Sequence, residues 1–377
     1  MSARRHTYIL PAIVIAFCAI TCAPEHKEPV LKDLFSPHFL IGAAIADDVV
    51  MNEQGRDAAI VLRHYNTVTA ENVMKWASIH PSWETYVFEP ADRFVAFGQR
   101  HNMVIIGHTL VWHNQTDNAA FVDAQGKLLS RDAMLARLKE HITTVVGRYK
   151  GKVKGWDVVN EALTDEGPLR ASLWVQTIGE DFIAKAFEFA HEADPDAELY
   201  YNDFSLDKPA KRDAVVQLVK DLQARGLRVD GVGIQGHWGM DYPTTENLEA
   251  FLTAIGALGV KVLVTEMDVD ILPPAWDYQG ADINARVELR DELNPYPDGL
   301  PDTMQTVLAN RYAELFSILV KHSRIVDRVT LWGVTDSTSW LNDWPVRGRT
   351  SYPLLFDREY KAKPAFQAVV NTARAGR

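Results

Sequence analysis

Cysteine is almost absent from this 377-residue chain, since both of its cysteines, Cys18 and Cys22, fall within the first 22 residues. The remainder of the chain therefore has no disulfide and offers no cysteine ligand to a metal. Basic charge is also scarce, because 39 Lys and Arg face 50 Asp and Glu, a formal net charge of −11. Nucleic-acid binding requires a basic surface, so this balance argues against a nucleic acid as partner.

The start of the chain lacks an apolar run long enough to cross a membrane as a helix. Its run, YILPAIVIAFCAI at 8–20, is shorter than the roughly 20 residues that a spanning helix needs. Because Arg4 and Arg5 precede it, residues 1–22 are typical of an export signal, with a buried N-terminal helix as the alternative. Cys22 is a candidate for lipid attachment, although Thr21 stands where Gly or Ala is usual. We expect an exported protein that is periplasmic, secreted or lipid-anchored to the membrane.

Signatures of several other architectures are missing too. No Gly-x-Gly-x-x-Gly follows a predicted strand, which removes the usual dinucleotide-binding interpretation. No Ser/Gly-rich linker, low-complexity tract or repeat marks a second module. We therefore predict a single domain over 23–377, a length that suits an α/β barrel with insertions.

Strands and helices are predicted to alternate along that domain. Eight short segments rich in Val, Ile and Leu predict strands over 39–46, 67–72, 103–112, 153–161, 197–203, 231–237, 261–269 and 328–336. Helices are predicted over 130–150, with Ser130 as N-cap, and near 172–193, 208–226, 244–259, 302–322 and 364–375. Eight such units predict a closed (β/α)8 TIM barrel rather than an open, doubly wound sheet.

Polar side chains collect at the C-terminal ends of the predicted strands. They are Glu71, Asn72, His108, Trp112, Asn160, Glu161, Asn202, Asp203, Gln235, His237, Glu266, Asp268, Trp332 and Asp336. In a (β/α)8 barrel these ends form one rim, where active sites are built. A single Asn or Asp often caps a helix instead, but Glu, His and Trp are poor caps. The set as a whole therefore predicts a functional rim.

Two carboxylates stand out at this rim. Glu161 ends the fourth strand and Glu266 lies in the seventh, and these strands face each other across an eight-stranded barrel. Opposed carboxylates serve glycoside cleavage, one as proton donor and the other as nucleophile or base, while a structural ion pair is the alternative. The residues alone do not say which carboxylate has which role. Two-residue offsets along the strands also predict a chain Asp268–His237–Glu266 that keeps Glu266 ionised.

Tryptophan is plentiful, with 10 residues in the chain. Trp156 and Trp174 are assigned to the core, whereas Trp112, Trp332 and Trp340 lie at or just after strand ends. A flat indole beside polar groups suits the apolar face of a sugar ring, with core packing as the alternative for each of the three.

Eight motifs follow one another at these strand ends. They are TAENVMKW (69–76), GHTLVWHNQ (107–115), WDVVNEAL (156–163), LRASLW (169–174), YYNDF (200–204), GIQGHW (233–238), TEMDV (265–269) and LWGVTDSTSW (331–340). In this order and context they resemble the family 10 glycoside hydrolases, mostly endo-β-1,4-xylanases. The resemblance covers nearly the whole chain after the leader, residues 1–22. The resemblance implies retaining, endo-acting hydrolysis of xylan or xylo-oligosaccharides through a covalent glycosyl-enzyme intermediate, without a cofactor or metal.

The resemblance also implies a role for each candidate residue. Glu161 is expected to be the general acid/base and Glu266 the nucleophile, while Asn160 binds the 2-hydroxyl of the sugar at the cleavage point. His237 and Asp268 are expected to support Glu266. The implied substrate-binding residues are Glu71, Asn72 and Lys75 for the next sugar on the non-reducing side, and His108, Trp112, Gln235, Trp332 and Trp340 around the reacting sugar.

The chain departs from the family pattern in its loops. Phe204 and Ser205 stand where the family often has Tyr-Asn after YND. Residues 270–302 form a long insertion after the seventh strand, which we expect to shape the leaving-group side of the cleft. WPVRGRTSYP, after the eighth strand, places Arg347 and Arg349 near the rim as candidates to bind acidic decorations of xylan.

Three alternatives stay open on the sequence. A β-1,4-glucanase of the same mechanism acts on a sugar that differs by one hydroxymethyl group. A non-catalytic glycan-binding protein would bind without turnover. A metal-dependent barrel hydrolase would use His108, His237 and nearby acids, although the histidine spacing matches no recognised zinc motif.

Overall fold

Eight parallel strands close into a barrel in the computed structural model, which describes residues 28–275 and 281–376. They are β1 (Leu40–Ile45), β2 (Thr67–Ala70), β3 (Val104–Trp112), β4 (Gly155–Asn160), β5 (Glu198–Asp203), β6 (Gly231–Ile234), β8 (Lys261–Asp270) and β9 (Val326–Leu331), with a short extra strand β7 (His237–Gly239) beside β8. Neighbours pair in chain order from β1 to β6; β6 then pairs with β8, β8 with β9, and β9 with β1. The predicted (β/α)8 barrel is confirmed.

Two glycines explain where the strands differ from their predicted ends. Gly236 has a φ of +86°, which few other residues adopt, and it splits the predicted 231–237 strand into β6 and β7. Gly333 has a φ of +127°, and the last strand, predicted to reach 336, already ends at Leu331. Neither turn is visible in the apolar pattern that predicts the strands.

Helices surround the barrel. They are α1 (Leu31–Phe35), α2 (Asp47–Met51), α3 (Arg56–His64), α4 (Trp76–Ile79), α5 (Glu89–Arg100), α6 (Arg131–Arg148), α7 (Leu173–Thr177), α8 (Phe182–Ala193), α9 (Pro209–Ala224), α10 (Thr245–Gly256), α11 (Asp302–Lys321) and α12 (Pro364–Ala375). Ser130 caps α6 as predicted, because its hydroxyl accepts from the Ala133 amide. The single helix predicted near 172–193 is wrong, since Gly179, at φ +104°, separates α7 from α8. Within the described ranges, no helix has the length and apolarity of a membrane span.

The core lies between the barrel and the helices, with a smaller cluster of Ile106, Tyr200 and Leu263. Trp156 and Trp174 are each 1% exposed, so both pack in the core as predicted. Trp156 lies over Gly107 of β3, where an added Cβ would come within 2.1 Å of the indole. This close approach fixes one strand against its neighbour below the rim.

The insertion after β8 is fastened to the rim by hydrogen bonds. Arg349 is 3% exposed and donates to the carbonyls of Leu293, at 2.9 Å, and Pro273, at 2.7 Å. Its Nη1 also lies 3.1 Å from Oδ2 of Asp270, at the end of β8. The expectation that Arg349 binds substrate is therefore wrong, because its guanidinium is occupied in joining the insertion to the loop after β9.

Candidate active site

A cavity of about 430 Å³ opens at the C-terminal ends of the strands. Its lining includes the predicted residues Glu71, Asn72, Lys75, His108, Trp112, Asn160, Glu161, Gln235, His237, Glu266, Trp332 and Trp340. Asp268 is not part of the lining and contacts His237 from outside it. The sequence-predicted site residues thus come together in one cleft, as expected for side chains at the ends of adjacent barrel strands.

Glu161 follows β4 directly, in a left-handed backbone conformation with a φ of +57°. Its amide donates to the Asn202 carbonyl at 2.9 Å. Its buried carboxyl group accepts from Trp112 Nε1 at 2.9 Å and from Gln235 Nε2 at 2.8 Å. Burial, and then the charge of Asp203, raise the pKa of Glu161 to about 6 despite these two hydrogen bonds. A carboxyl group in this position can hold a proton in mildly acidic solution.

Glu266, on β8, lies in surroundings that favour its ionised form. Asn202 Nδ2 donates to Oε1 at 2.8 Å, and His237 Nε2 lies 3.4 Å from Oε2. Burial alone would raise the pKa of Glu266, but the hydrogen bond from His237 and the charge of Lys75 contribute to holding it below its ordinary value. The two carboxyl groups of the cleft are therefore shifted in opposite directions.

His237 bridges two carboxylates, as the sequence predicted. Its Nδ1 lies 3.0 Å from Asp268 Oδ1, on the side away from Glu266. Burial disfavours its charged form, but Asp268 and Glu266 outweigh burial and raise the pKa of His237 to about 10. His237 is therefore a cation over most of the pH range and can donate to both carboxylates. Trp340 Nε1 donates to the second oxygen of Asp268 at 2.7 Å, which fixes this chain at its far end.

Side-chain amides connect the two glutamates. Asn202 Nδ2 donates to Asn160 Oδ1 at 2.9 Å as well as to Glu266, and Gln235 Nε2 lies 3.3 Å from the same Asn160 oxygen while it donates to Glu161. The Thr265 hydroxyl donates to Asn202 Oδ1 at 2.6 Å. The sequence placed Asn202 at a strand end but did not assign it to the site. Its signal was its position directly before Asp203 at the rim.

Lys75 and the tryptophans form the wall beside the carboxylates. The Lys75 ammonium is buried, donates to Asn72 Oδ1 at 3.0 Å and lies 5.2 Å from the ring centroid of Trp112 and 5.9 Å from that of Trp332. Burial lowers the pKa of Lys75, while the charges of nearby glutamates counteract that shift. The indole of Trp340 stacks on Trp344 with a centroid distance of 4.8 Å.

Two supporting pairs were missed by the sequence analysis. Asp157, an acid inside an apolar strand, lies 2.9 Å from His108 Nδ1. Asp203 and Lys211 are both fully buried and lie 2.8 Å apart behind Glu161. The strand position of Asp157 could have indicated a buried partner, whereas Lys211 lies in the first turn of α9, where a lysine is usually exposed.

The histidines of the cleft have carboxylate partners. His108 contacts Asp157, and His237 contacts Asp268 and Glu266. Within residues 28–275 and 281–376, no group of three or more His, Cys, Asp and Glu side chains is placed to hold a metal ion.

Comparisons with known proteins agree with this geometry. The family model described as "Glycosyl hydrolase family 10" matches residues 30–372. Endo-1,4-beta-xylanase A of Xylanibacter ruminicola is 46% identical over 92% of this chain and 94% of its own length, and a beta-1,4-xylanase of Dictyoglomus thermophilum is 44% identical over 91% and 90%. The solved structure of a family 10 endoxylanase from a sugarcane soil metagenome has a TM-score of 0.87 and 43% identity, covering 90% of this chain and 99% of that one. This chain belongs to glycosyl hydrolase family 10.

Proposed function

We propose that the protein is an endo-β-1,4-xylanase that hydrolyses xylan and xylo-oligosaccharides with retention of anomeric configuration. The observation that carries this proposal is the pair of carboxyl groups in one cleft with opposite pKa shifts, Glu161 raised to about 6 and Glu266 lowered. Glycoside cleavage needs one protonated and one ionised carboxyl group at the same time. Relatives named as xylanases, with 46% and 44% identity, support xylan as the substrate.

The reaction proceeds in two displacements. Glu161 donates its proton to the departing glycosidic oxygen while the Glu266 carboxylate attacks the anomeric carbon and forms a glycosyl ester. Once Glu266 is esterified, its negative charge no longer disfavours the ionised form of Glu161. Glu161 then removes a proton from water, which attacks the ester and releases the sugar and the Glu266 carboxylate. The enzyme returns to its starting protonation state.

Neighbouring residues bind and orient the sugar in this proposal. Asn160 binds the 2-hydroxyl at the cleavage point, an interaction that strengthens as the oxocarbenium-like transition state forms. Lys75, together with Glu71 and Asn72, binds the next sugar on the non-reducing side. The substrate-binding wall consists of His108, Trp112, Gln235, Trp332 and Trp340.

The substrate assignment is tested with matched polymers. Trp332 and Trp340 line the cleft. We expect them to crowd a hydroxymethyl group, so activity on unsubstituted xylan should exceed activity on carboxymethylcellulose by orders of magnitude. The measurement is the release of reducing ends, with NMR of the first anomer formed. Comparable rates on both polymers would instead assign a β-1,4-glucanase, and binding of xylan without turnover would assign a glycan-binding protein.

The leader supports a proposal about location. Residues 1–27 lie outside the described residues, so the proposal rests on the charged start and the short apolar run that ends near Cys22. The full-length protein is an exported lipoprotein that partitions with membranes, and Cys22→Ser releases it. If the mature protein is soluble and Cys22 is absent from its N-terminus, the protein is secreted without a lipid anchor.

A further inference from the structure

The insertion after β8 brings a cation into the cleft. Ala281, Ile283 and Arg286 line the cavity that contains the two glutamates. The segment is held from two sides, because Asn114 Nδ2, after β3, donates to the Ala281 carbonyl at 2.6 Å, and the Val287 amide donates to the Pro345 carbonyl at 2.8 Å. The position of Arg286 is therefore set by hydrogen bonds on either side of it.

Arg286 differs from the other cations of the cleft in having no carboxylate partner within residues 28–275 and 281–376. The charges of Glu266, Glu71 and Glu161 act on Lys75, and His237 lies between Asp268 and Glu266. Among the described residues, no carboxylate oxygen lies within 4.0 Å of the Arg286 guanidinium, not even that of Asp343, which lines the same cavity. In a chain with a net charge of −11, an exposed arginine that lines a binding cleft and has no carboxylate partner in the described part of the chain is unexpected.

The guanidinium of Arg286 is oriented by the backbone and keeps one edge open. Its Nη1 donates to the carbonyls of Ile283, at 2.9 Å, and Ala285, at 2.7 Å. Its Nε and Nη2 have no partner among the described residues. The Nε–Nη2 edge is the one that a carboxylate accepts in a two-point hydrogen bond. Trp344, stacked on Trp340, lines the same cavity and offers an aromatic surface for a sugar ring.

We propose that Arg286 binds the carboxylate of a uronic-acid branch on the sugar chain in the cleft, so that the enzyme prefers acid-branched xylo-oligosaccharides. This inference rests on the proposed function and adds a substrate class to it. Arg349, the candidate from the sequence, is buried in its own hydrogen bonds, and Arg347 is exposed outside the cavity lining. The insertion therefore contributes the cation that the loop after β9 was expected to provide.

The test compares two xylo-oligosaccharides that differ in one functional group. One carries a glucuronic-acid branch, and the other carries the same branch with its carboxyl group reduced to a hydroxymethyl group. We expect the wild-type kcat/KM to favour the acid by roughly 10-fold, as for a hydrogen bond to a charged group. Arg286→Gln brings this ratio close to one, and Arg286→Lys restores part of it, because lysine keeps the charge but not the two-point geometry. The ratio also falls as salt is added.

Arg347→Gln is the matched control, an arginine in the neighbouring loop that does not line the cavity, and it keeps the wild-type ratio. A wild-type ratio of one, or an equal ratio in the wild type and Arg286→Gln, overturns the inference. An unbranched xylo-oligosaccharide distinguishes failure of the Arg286 inference from failure of the proposed xylanase function. If the wild type cleaves it without preferring the acid branch, only the role of Arg286 fails, whereas no cleavage of the linear substrate means that the proposed function itself fails.

Discussion

Glu161 and Glu266 belong to one hydrogen-bonded network, yet their immediate contacts differ in kind. Glu266 faces a histidine that is held as a cation between two carboxylates. Glu161 accepts from a neutral indole and a neutral amide, and Asp203 adds a negative charge behind it. At the residue scale, the groups that contact the carboxyl oxygens determine which glutamate is protonated and which is ionised, since the two carboxyl groups are chemically the same.

Removing either carboxyl group should stop the normal reaction, and the two variants should give azide products of opposite anomeric configuration. In Glu161→Ala, a substrate whose leaving group needs no protonation still reacts with Glu266, and the glycosyl-enzyme accumulates for want of a base. Added azide, which needs no deprotonation, attacks this intermediate and gives a β-glycosyl azide. In Glu266→Ala, no intermediate forms, and azide in the vacated space gives an α-glycosyl azide. NMR of the azide products is the measurement, and the opposite assignment of anomers means that the roles are reversed.

Asp203 is expected to influence the pH dependence of kcat/KM through the pKa of Glu161, without contacting the substrate. Asp203→Asn removes a negative charge that disfavours ionised Glu161 and leaves the buried Lys211 ammonium with the more distant Asp165 as its carboxylate partner, so the pKa of Glu161 falls. Since Glu161 must be protonated to act as acid, activity is lost as pH rises through its pKa of about 6. We expect this alkaline limb of kcat/KM to move down by roughly one pH unit.

Asp165→Asn is the control for that experiment. Asp165 also contacts Lys211, at 3.4 Å, but is not among the largest influences on the pKa of Glu161, whereas Asp203 is. The alkaline limb of kcat/KM in Asp165→Asn should match that of the wild type. An unchanged limb in Asp203→Asn would mean that Asp203 has a structural role alone.

At the scale of elements, the insertion depends on Arg349. Burial raises the pKa of Asp270 to about 6 although the Arg349 charge favours ionisation. Arg349→Met removes that charge and three hydrogen bonds, and breaking a buried pair of this kind costs roughly 3–5 kcal/mol. We expect faster hydrogen exchange in residues 287–294, measured by mass spectrometry, and unchanged exchange in α6. Arg347→Met, in the same loop but exposed, should exchange like the wild type; equal rates in all three proteins would contradict the role of Arg349.

The elements themselves were largely predictable from the sequence, because apolar strand runs and the Ser130 cap act locally. Breaks at Gly179 and Gly236 were not, since a left-handed glycine leaves the surrounding pattern unchanged. In the site, strand-end position identified Glu161 and Glu266, and the family resemblance supplied their roles. The contacts of Arg349 escaped prediction because they join loops about 55–80 positions apart and depend on tertiary folding.

The folded molecule as a whole should lose stability in acid through its buried histidines. His64 packs between Phe356 and Phe366, with centroids 5.2 Å from each, and burial lowers its pKa to about 4. The unfolded chain takes up a proton below about pH 6.5, whereas folded His64 does so only near 4, so stability falls as pH drops between these values. Burial lowers the pKa of His113 and His141 as well.

Replacing His64 tests this linkage. Between pH 7 and pH 5 the free energy of unfolding of His64→Leu should fall by about 2 kcal/mol less than that of the wild type, because one fewer proton is taken up on unfolding. Urea unfolding at several pH values gives the slopes. Parallel curves for the two proteins would show that His64 does not contribute to acid sensitivity, whatever the substitution does to stability at neutral pH.

The amides of Asn160, Asn202 and Gln235 couple the geometry of the two carboxyl groups while insulating their protons. A primary amide donates and accepts hydrogen bonds but does not release or take up a proton near neutral pH. A hydroxyl group or a water in the same place would form a wire along which a proton could travel from one oxygen to the other. With this bridge, the proton that Glu161 gains from water at the end of one cycle stays on Glu161, ready to start the next.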